Sequence, residues 1–221
     1  MKARQNLLTC ATILLLFSSQ GTALAAVSAV NERGLSAATA HVNNGNYATA
    51  YKHFLRMAQH GCPYSQCIVG IMYQKGIGVK KDAQEAMRWF EKSAAQGFPD
   101  AEHRLGKIHL DGQDVARDTD VAAQWLEKAA RHGEVEAQYE LGKLDVTERS
   151  SKALKEGRAW LQEAASHGYA QAKELAEKLP PLPGGNAPVA SNRAAQGFSN
   201  LQTSWVGYGS VVKSLEATTS Q

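Results

Sequence analysis

The chain has 221 residues, enough for one or two ordinary domains. Its 24 Lys and Arg residues nearly balance its 21 Asp and Glu residues, and no basic run is longer than two residues, which argues against nucleic-acid binding. With 3 cysteines, 6 prolines and abundant alanine, the composition excludes a disulfide-dense or collagen-like scaffold and favours an all-α protein.

Residues 1–25 have the features of a cleavable signal peptide. Lys2 and Arg4 precede an apolar stretch at 7–17, and the Ala-Leu-Ala sequence at 23–25 resembles a signal-peptidase site. As a helix the apolar stretch covers about 16 Å, roughly half of a bilayer core, so we expect no transmembrane anchor. The sequence therefore predicts an exported protein, periplasmic in a bacterium with two membranes, with an extracellular location as the alternative.

An internal repeat with a period of 36 residues is the strongest signal in the sequence. Apolar residues at helical spacing predict two helices in each unit. Each unit carries three markers: a glycine on the first helix, a tryptophan on the second helix and a glycine after the second helix. We expect the first glycine to let the two helices approach closely, the tryptophan to lie in the core and the last glycine to end the second helix. The markers are Gly70, Gly106 and Gly142; Trp89, Trp125 and Trp160; and Gly61, Gly97, Gly133 and Gly168.

These markers resemble the Sel-1-like repeat, a relative of the tetratricopeptide repeat. The first complete unit reads Val69-Gly70, Tyr73, Gly76-Ile77-Gly78-Val79, Asp82, Glu85-Ala86, Trp89-Phe90 and Ala94-Ala95. Later units lose one or both loop glycines, and the match covers about residues 61–168. The resemblance implies a right-handed α-solenoid of stacked helix pairs. In the first unit, Asp82 followed by Glu85 also predicts a capped start of the second helix.

The repeat and its flanking segments divide the chain into a leader, a repeat domain and a flexible tail. We expect the repeat domain at 26–179, between the signal peptide and a Pro/Gly linker that begins at Pro180. Its units are expected at about 31–60, 61–96, 97–132 and 133–167, with a capping helix at 168–179. Residues 180–221 form the linker and a tail that is either disordered or conditionally helical.

The tail carries apolar residues spaced alternately three and four apart, the pattern of an amphipathic helix. Gly207 and Gly209 weaken that helix by about 1 kcal/mol each relative to Ala. If the tail orders on binding, it either fills the protein's own groove or binds a partner's groove. The stripe consists of Phe198, Leu201, Trp205, Tyr208, Val212 and Leu215.

We find no residue pattern that predicts catalysis, a cofactor or a metal site. His60, His132 and His167 occupy the same place in the repeat, and equivalent positions of neighbouring repeats lie on the order of 10 Å apart, which is too far to share one metal. A histidine there has a structural reason, since it lies beside the negative end of a helix. Cys62 and Cys67 form a candidate disulfide, although they flank a predicted helix start and the sequence leaves their pairing open.

The first helix of each repeat is expected to turn its non-core side toward the concave surface of the solenoid. This surface changes from apolar to mixed charge along the chain, which suits a peptide or helix as ligand. Its candidate partner-binding residues are Tyr64, Ile71, His103, Lys107, Glu136, Tyr139 and Lys143.

The resemblance implies a non-catalytic scaffold that holds another envelope or exported protein, because Sel-1-like proteins act as interaction adaptors. The absence of a catalytic pattern agrees with this interpretation. The alternative is an accessory factor of envelope polysaccharide or cell-wall metabolism that binds glycan directly, for which Tyr139 and Glu136 are the candidate residues.

Overall fold

The structure, a computed structural model, describes residues 34–112, 115–147, 151–180 and 208–218. The regular elements in these ranges are helices, so the all-α prediction is confirmed. They are α1 (34–43), α2 (Tyr47–Gln59), α3 (Pro63–Lys75), α4 (Ala83–Ala94), α5 (Pro99–Asp111), α6 (Thr119–Arg131), α7 (Val135–Thr147), α8 (Ser151–Ser166), α9 (Ala170–Lys178) and α10 (Tyr208–Ala217).

The helices divide into two compact units. The first unit contains α1 to α4 together with α10, and the second contains α5 to α9. In the first unit, α3 packs against α2, α4 and α10. In the second unit, α5 pairs with α6 and α7 pairs with α8, while α7 also packs on α6 and α9 on α8. Each unit is therefore built from stacked helix pairs.

Local sequence signals account for the starts and ends of the paired helices. The Asp82 carboxylate accepts a hydrogen bond from the Glu85 backbone N–H at 3.0 Å, which confirms the predicted cap of α4. Asp118 caps α6 in the same way. Gly133, which follows α6, has a φ of +86°, a left-handed conformation that favours glycine and terminates the helix as expected.

A glycine on the first helix of each pair packs directly against a large apolar side chain of the second helix. Because a Cβ on these glycines would lie only 2.6, 2.7 and 2.8 Å from the facing ring or side chain, no larger residue fits without displacement. The facing side chains are fully buried. The close approach predicted from the glycine markers is confirmed. The contacts are Gly70–Phe90, Gly106–Leu126 and Gly142–Leu161.

The tryptophan markers do not all lie in the core. Trp89 is 8% exposed, but Trp125 and Trp160 are only half-buried. The Lys128 ammonium lies 3.9 Å from the centre of the Trp125 ring, so one side of that ring faces a charged group. The core expectation is therefore wrong for Trp125, whereas Trp160 is partly buried and packs against the core cluster that contains Leu126 and Leu141. The next residue along the helix, Leu126 in the case of Trp125, takes the position that faces the glycine.

The helix α10 lies against α3 and buries one side of itself. Val211 and Leu215 are fully buried and Val212 is 9% exposed. At the end of this helix, the hydroxyl groups of Tyr47 and Thr218 are 3.0 Å apart and form a hydrogen bond.

The predicted tail stripe coincides only in part with α10. Val212 and Leu215 belong to the buried side of the helix, and Tyr208 is its first residue. Phe198, Leu201 and Trp205 lie outside the described residues, as does the predicted signal peptide. Among the described residues, no helix combines the length and the apolar character needed to cross a membrane.

Cys62 and Cys67, both in the described range 34–112, are not joined by a disulfide. Cys62 precedes α3 with extended backbone angles, whereas Cys67 lies within α3 and is fully buried. The candidate disulfide is therefore not formed in this structure.

The packing of α6 predicts unequal costs for two adjacent truncations. Leu126→Ala should lower the free energy of unfolding by about 2–5 kcal/mol, because it leaves a cavity against Gly106. Trp125→Ala should cost less than Leu126→Ala, because part of the ring remains exposed in the folded state. Urea denaturation of both variants checks this order, and a larger loss for Trp125→Ala would contradict the packing described.

Candidate binding surface

Equivalent residues of α5 and α7 form the candidate surface of the second unit, which we call the α5–α7 face. Lys107 and Lys143, 36 residues apart, are exposed, and Glu136 is also exposed. His103 and Tyr139, which are likewise 36 apart, are half-buried. These five predicted residues are thus placed at accessible or partly accessible positions.

Tyr64 and Ile71, predicted to line an exposed part of the same surface, are buried instead. Tyr64 is 3% exposed and Ile71 is fully buried. The reason is that α3 is buried continuously from Pro63 to Met72 and packs against α2, α4 and α10. Neither side chain is accessible to a partner in this structure.

His103 is a neutral histidine on the α5–α7 face. Burial lowers its pKa to about 4, and this effect outweighs the nearby Asp100 and Glu136 carboxylates, which act to raise the pKa. Its Nε2 atom is buried and makes no hydrogen bond to the described residues. Buried polar atoms are usually hydrogen-bonded, so this buried ring nitrogen departs from the usual pattern.

Glu134, at the residue before α7, was not identified from the sequence. Burial raises its pKa to about 9, with further contributions from a hydrogen bond to Glu136 and from the charge of Asp100. The surroundings of this carboxyl group therefore favour its protonated form. Glu134 occupies the repeat position at which the neighbouring repeats have Phe98 and Tyr169. A carboxylate in place of an aromatic residue was the sequence signal that could have identified it.

Because its pKa is raised on folding, Glu134 makes the free energy of unfolding depend on pH. Above its ordinary pKa, the unfolded chain releases a proton that the folded chain retains. The contribution of Glu134 to stability therefore falls as the pH rises from about 4.5 toward 9. Beside it, Arg104 Nε donates a hydrogen bond to Asp100 Oδ2 at 2.9 Å and keeps that charge partly compensated.

Tyr139 lies next to a second tyrosine that the sequence analysis missed. The centroids of the Tyr139 and Tyr169 rings are 5.0 Å apart, and the two ring planes make an angle of 38°. Burial raises the pKa of Tyr169, and the Glu136 and Glu140 carboxylates raise it further, which places negative charge near the pair. Because the two tyrosines are 30 residues apart, only the tertiary structure brings them together. Aromatic faces beside carboxylates can stack on a sugar ring or hold a cationic group.

A buried carboxylate on α5 pairs with the histidine that ends α6. The distance between His132 Nδ1 and Glu102 Oε2 is 2.6 Å, and the side chains are 29% and 3% exposed. At the positions equivalent to Glu102, the amides of Gln66 and Gln138 donate hydrogen bonds to carbonyl groups of the preceding helix. The position of His132 at the end of a helix therefore explains this residue only in part, because its ring also contacts the buried carboxyl group of Glu102.

The described residues include no group of three or more His, Cys, Asp or Glu side chains arranged to hold a metal ion. Two of the repeat histidines have separate acidic neighbours. His132 pairs with Glu102, whereas His167 Nε2 lies 3.6 Å from Glu163 Oε1.

Comparisons with known proteins agree with the repeat architecture. The model of the Sel1 repeat matches three consecutive segments, at 63–98, 99–134 and 135–169. Each segment begins at the first residue of α3, α5 or α7. No curated protein sequence matches the chain significantly.

Two solved structures are similar to this chain. A Sel1 repeat protein from Oxalobacter formigenes is 29% identical over 65% of this chain, with a TM-score of 0.59. A protective antigen of uropathogenic Escherichia coli strains, which displays an SLR fold, is 26% identical over 69% of this chain, with a TM-score of 0.60. The chain spans only 57% and 34% of the lengths of these two proteins.

The helix pairs and their glycine contacts define an all-α repeat scaffold. The chain belongs to the Sel1 repeat family. Members of this family are helical scaffolds that typically mediate protein interactions and are generally non-catalytic.

The Glu102–His132 pair predicts a stability loss that depends on the charge of position 102. His132→Ala should lower the free energy of unfolding by about 1–3 kcal/mol at pH 7, because it leaves a buried carboxylate without this partner. In a Glu102→Gln background, which carries the residue type found at 66 and 138, the same change should cost less than half as much. A double-mutant cycle in urea measures this difference, and equal costs in both backgrounds would contradict the pairing.

Proposed function

We propose that this protein is an exported, non-catalytic scaffold that binds a peptide or helical segment of another envelope protein on the α5–α7 face. The observation that carries the proposal is a contrast between core and surface. The core positions repeat from unit to unit, whereas the exposed positions on α5 and α7 carry charged and aromatic side chains. A repeat protein that presents variable side chains from a constant framework is suited to recognition.

The chemistry of the face favours a polypeptide over a ligand with a single charge. Lys107 and Lys143 supply positive charge, and Glu136 supplies negative charge close enough to act on His103. A polypeptide segment presents carboxylates, ammonium groups and backbone hydrogen-bonding groups along its length, so it can match such an arrangement.

A second candidate function is direct binding of an envelope or cell-wall glycan. The Tyr139–Tyr169 pair beside Glu136 favours it, because sugars stack on aromatic rings while their hydroxyl groups bind carboxylates. This site shares Tyr139 and Glu136 with the proposed polypeptide surface. The two candidates are therefore separated by what is bound rather than by where it binds.

The proposed location is the periplasm, and its support is the signal-peptide pattern at residues 1–25. Fractionation combined with amino-terminal sequencing of the recovered protein tests this location. A periplasmic protein that begins at or near residue 26 agrees with it. An extracellular protein with the same start supports the alternative location, and an uncleaved cytoplasmic protein contradicts export.

Charge reversal on the α5–α7 face should abolish partner capture without unfolding the repeats. Lys107→Glu with Lys143→Glu should reduce the co-purified partner at least about ten-fold, because the cost of placing like charges in an interface is several kcal/mol. The measurement is quantitative mass spectrometry of proteins recovered from envelope extracts. The matched control is Lys52→Glu with Lys155→Glu, which reverses two exposed lysines on α2 and α8.

The control variant should retain the partner, and both variants should keep the wild-type thermal unfolding midpoint. Equal capture by the two double variants would contradict the proposed surface. If glycan is recovered and no protein is lost when Lys107 and Lys143 are reversed, the result would favour direct glycan binding. A glycan panel probed with Tyr139→Ala and Tyr169→Ala then locates that binding.

A further inference from the structure

The helix α3 differs from its repeat equivalents in the chemistry of one side. At the positions where α5 has His103 and Lys107, and where α7 has Tyr139 and Lys143, α3 has Cys67 and Ile71. Cys67 and Ile71 are both fully buried. The positions that form a polar, accessible face on α5 and α7 are thus apolar and covered on α3.

Burial on all sides of α3 requires more neighbours than the repeat itself provides. On one side, the Tyr64 ring packs with the Phe54 ring of α2 at a centroid distance of 6.3 Å. On another side, Gly70 contacts Phe90 of α4. A helix that is buried all round needs further cover, and among the described helices α10 also packs against α3.

The helix α10 has the form of an amphipathic ligand. Its buried residues are Val211, Val212 and Leu215, which lie at positions i, i+1 and i+4, whereas Lys213 and Glu216 are exposed. This is the arrangement by which short helices bind apolar grooves. The helix also lies outside the Sel1 repeats, which end at residue 169.

A ten-residue helix of this kind depends on the surface that it covers. Helices shorter than about 12–15 residues are marginal in water even when their sequences favour helix formation. The helix α10 has 10 residues and contains Gly209. Its order in the structure therefore derives from packing on α3 and from the Tyr47–Thr218 hydrogen bond at its end.

We propose that the apolar side of α3 is a docking site for an amphipathic helix, and that α10 is its resident ligand. The external ligand that fits this site is a partner helix with two adjacent branched apolar residues and a leucine, spaced as in α10. Such a helix must displace α10, so the tail limits access to the site. This site lies in the first unit and is separate from the α5–α7 face, so either proposal can fail without the other.

Competition between α10 and a free peptide tests the proposal. The probe is a fluorescently labelled synthetic peptide with the sequence of residues 204–221, and its anisotropy reports binding to the full chain. In the wild-type chain the tethered helix competes at an effective concentration on the order of millimolar. Leu215→Asp places a charge on the buried side of α10 and should release the site. Lys213→Asp, on the exposed side of the same helix, is the matched control.

The peptide should bind the Leu215→Asp chain at least about ten-fold more tightly than the wild-type or Lys213→Asp chain. A peptide that itself carries Leu215→Asp should bind none of the three. Equal affinity for all three chains, or no binding to any of them, would overturn the proposal, because α10 would not occupy a separable site.

Circular dichroism distinguishes release of α10 from unfolding of the first unit. The released chain should lose only the helical signal of about ten residues and should keep its main thermal transition. If Leu215→Asp abolishes that transition, Leu215→Ala is tested in the same peptide assay. Loss of the main transition in both variants would identify α10 as an integral part of the fold and would overturn the docking proposal.

Discussion

The close contact between a glycine on one helix and a large apolar side chain on its partner is the constraint on which the helix pairs depend. In each repeat, the space left by the missing Cβ is filled by a side chain that is fully buried. This contact sets how near the two helices lie and which side of the second helix faces inward. It consequently moves Trp125 to the boundary of the core, where Lys128 lies over its ring.

The same framework then presents different chemistry at equivalent positions. On α5 and α7 the side away from the paired helix carries lysine, histidine, glutamate and tyrosine, whereas on α3 it is apolar and covered. Inside the framework, position 102 holds a carboxylate where positions 66 and 138 hold amides, and His132 compensates it. These substitutions leave the glycine contacts unchanged. Surface chemistry and pairing geometry are therefore specified by separate residues, which allows one repeat architecture to recognise different ligands.

The sequence predicts those features that depend on nearby residues or on the repeat period. The close-packing glycines, the Asp82 cap, the helix end at Gly133 and the all-α class follow from local spacing, and each is confirmed by the structure. The buried state of Ile71 could not be inferred in this way, because it depends on how the side of α3 is covered rather than on the repeat pattern.

The candidate surface was predictable only in part for the same physical reason. Lys107 and Lys143 are accessible, as helical periodicity indicates. The raised pKa of Glu134, the Glu102–His132 pair and the contact of Tyr139 with Tyr169 all arise between residues far apart in sequence. Of these features, only Glu134 has a signal in the repeat register, because it stands where neighbouring repeats have the aromatic residues Phe98 and Tyr169.

The most direct test of this account is a double-mutant cycle across the Gly106–Leu126 contact, measured by urea denaturation. Gly106→Ala should lower the free energy of unfolding by about 1–3 kcal/mol, because its Cβ would lie 2.7 Å from Leu126 Cγ. In the Leu126→Ala background the same change should cost less, by an interaction energy of at least about 0.5 kcal/mol. Gly209→Ala on α10, where the added Cβ meets no atom within 4 Å, should show no such loss. Strictly additive effects at positions 106 and 126 would contradict the claim that this contact determines the helix pair.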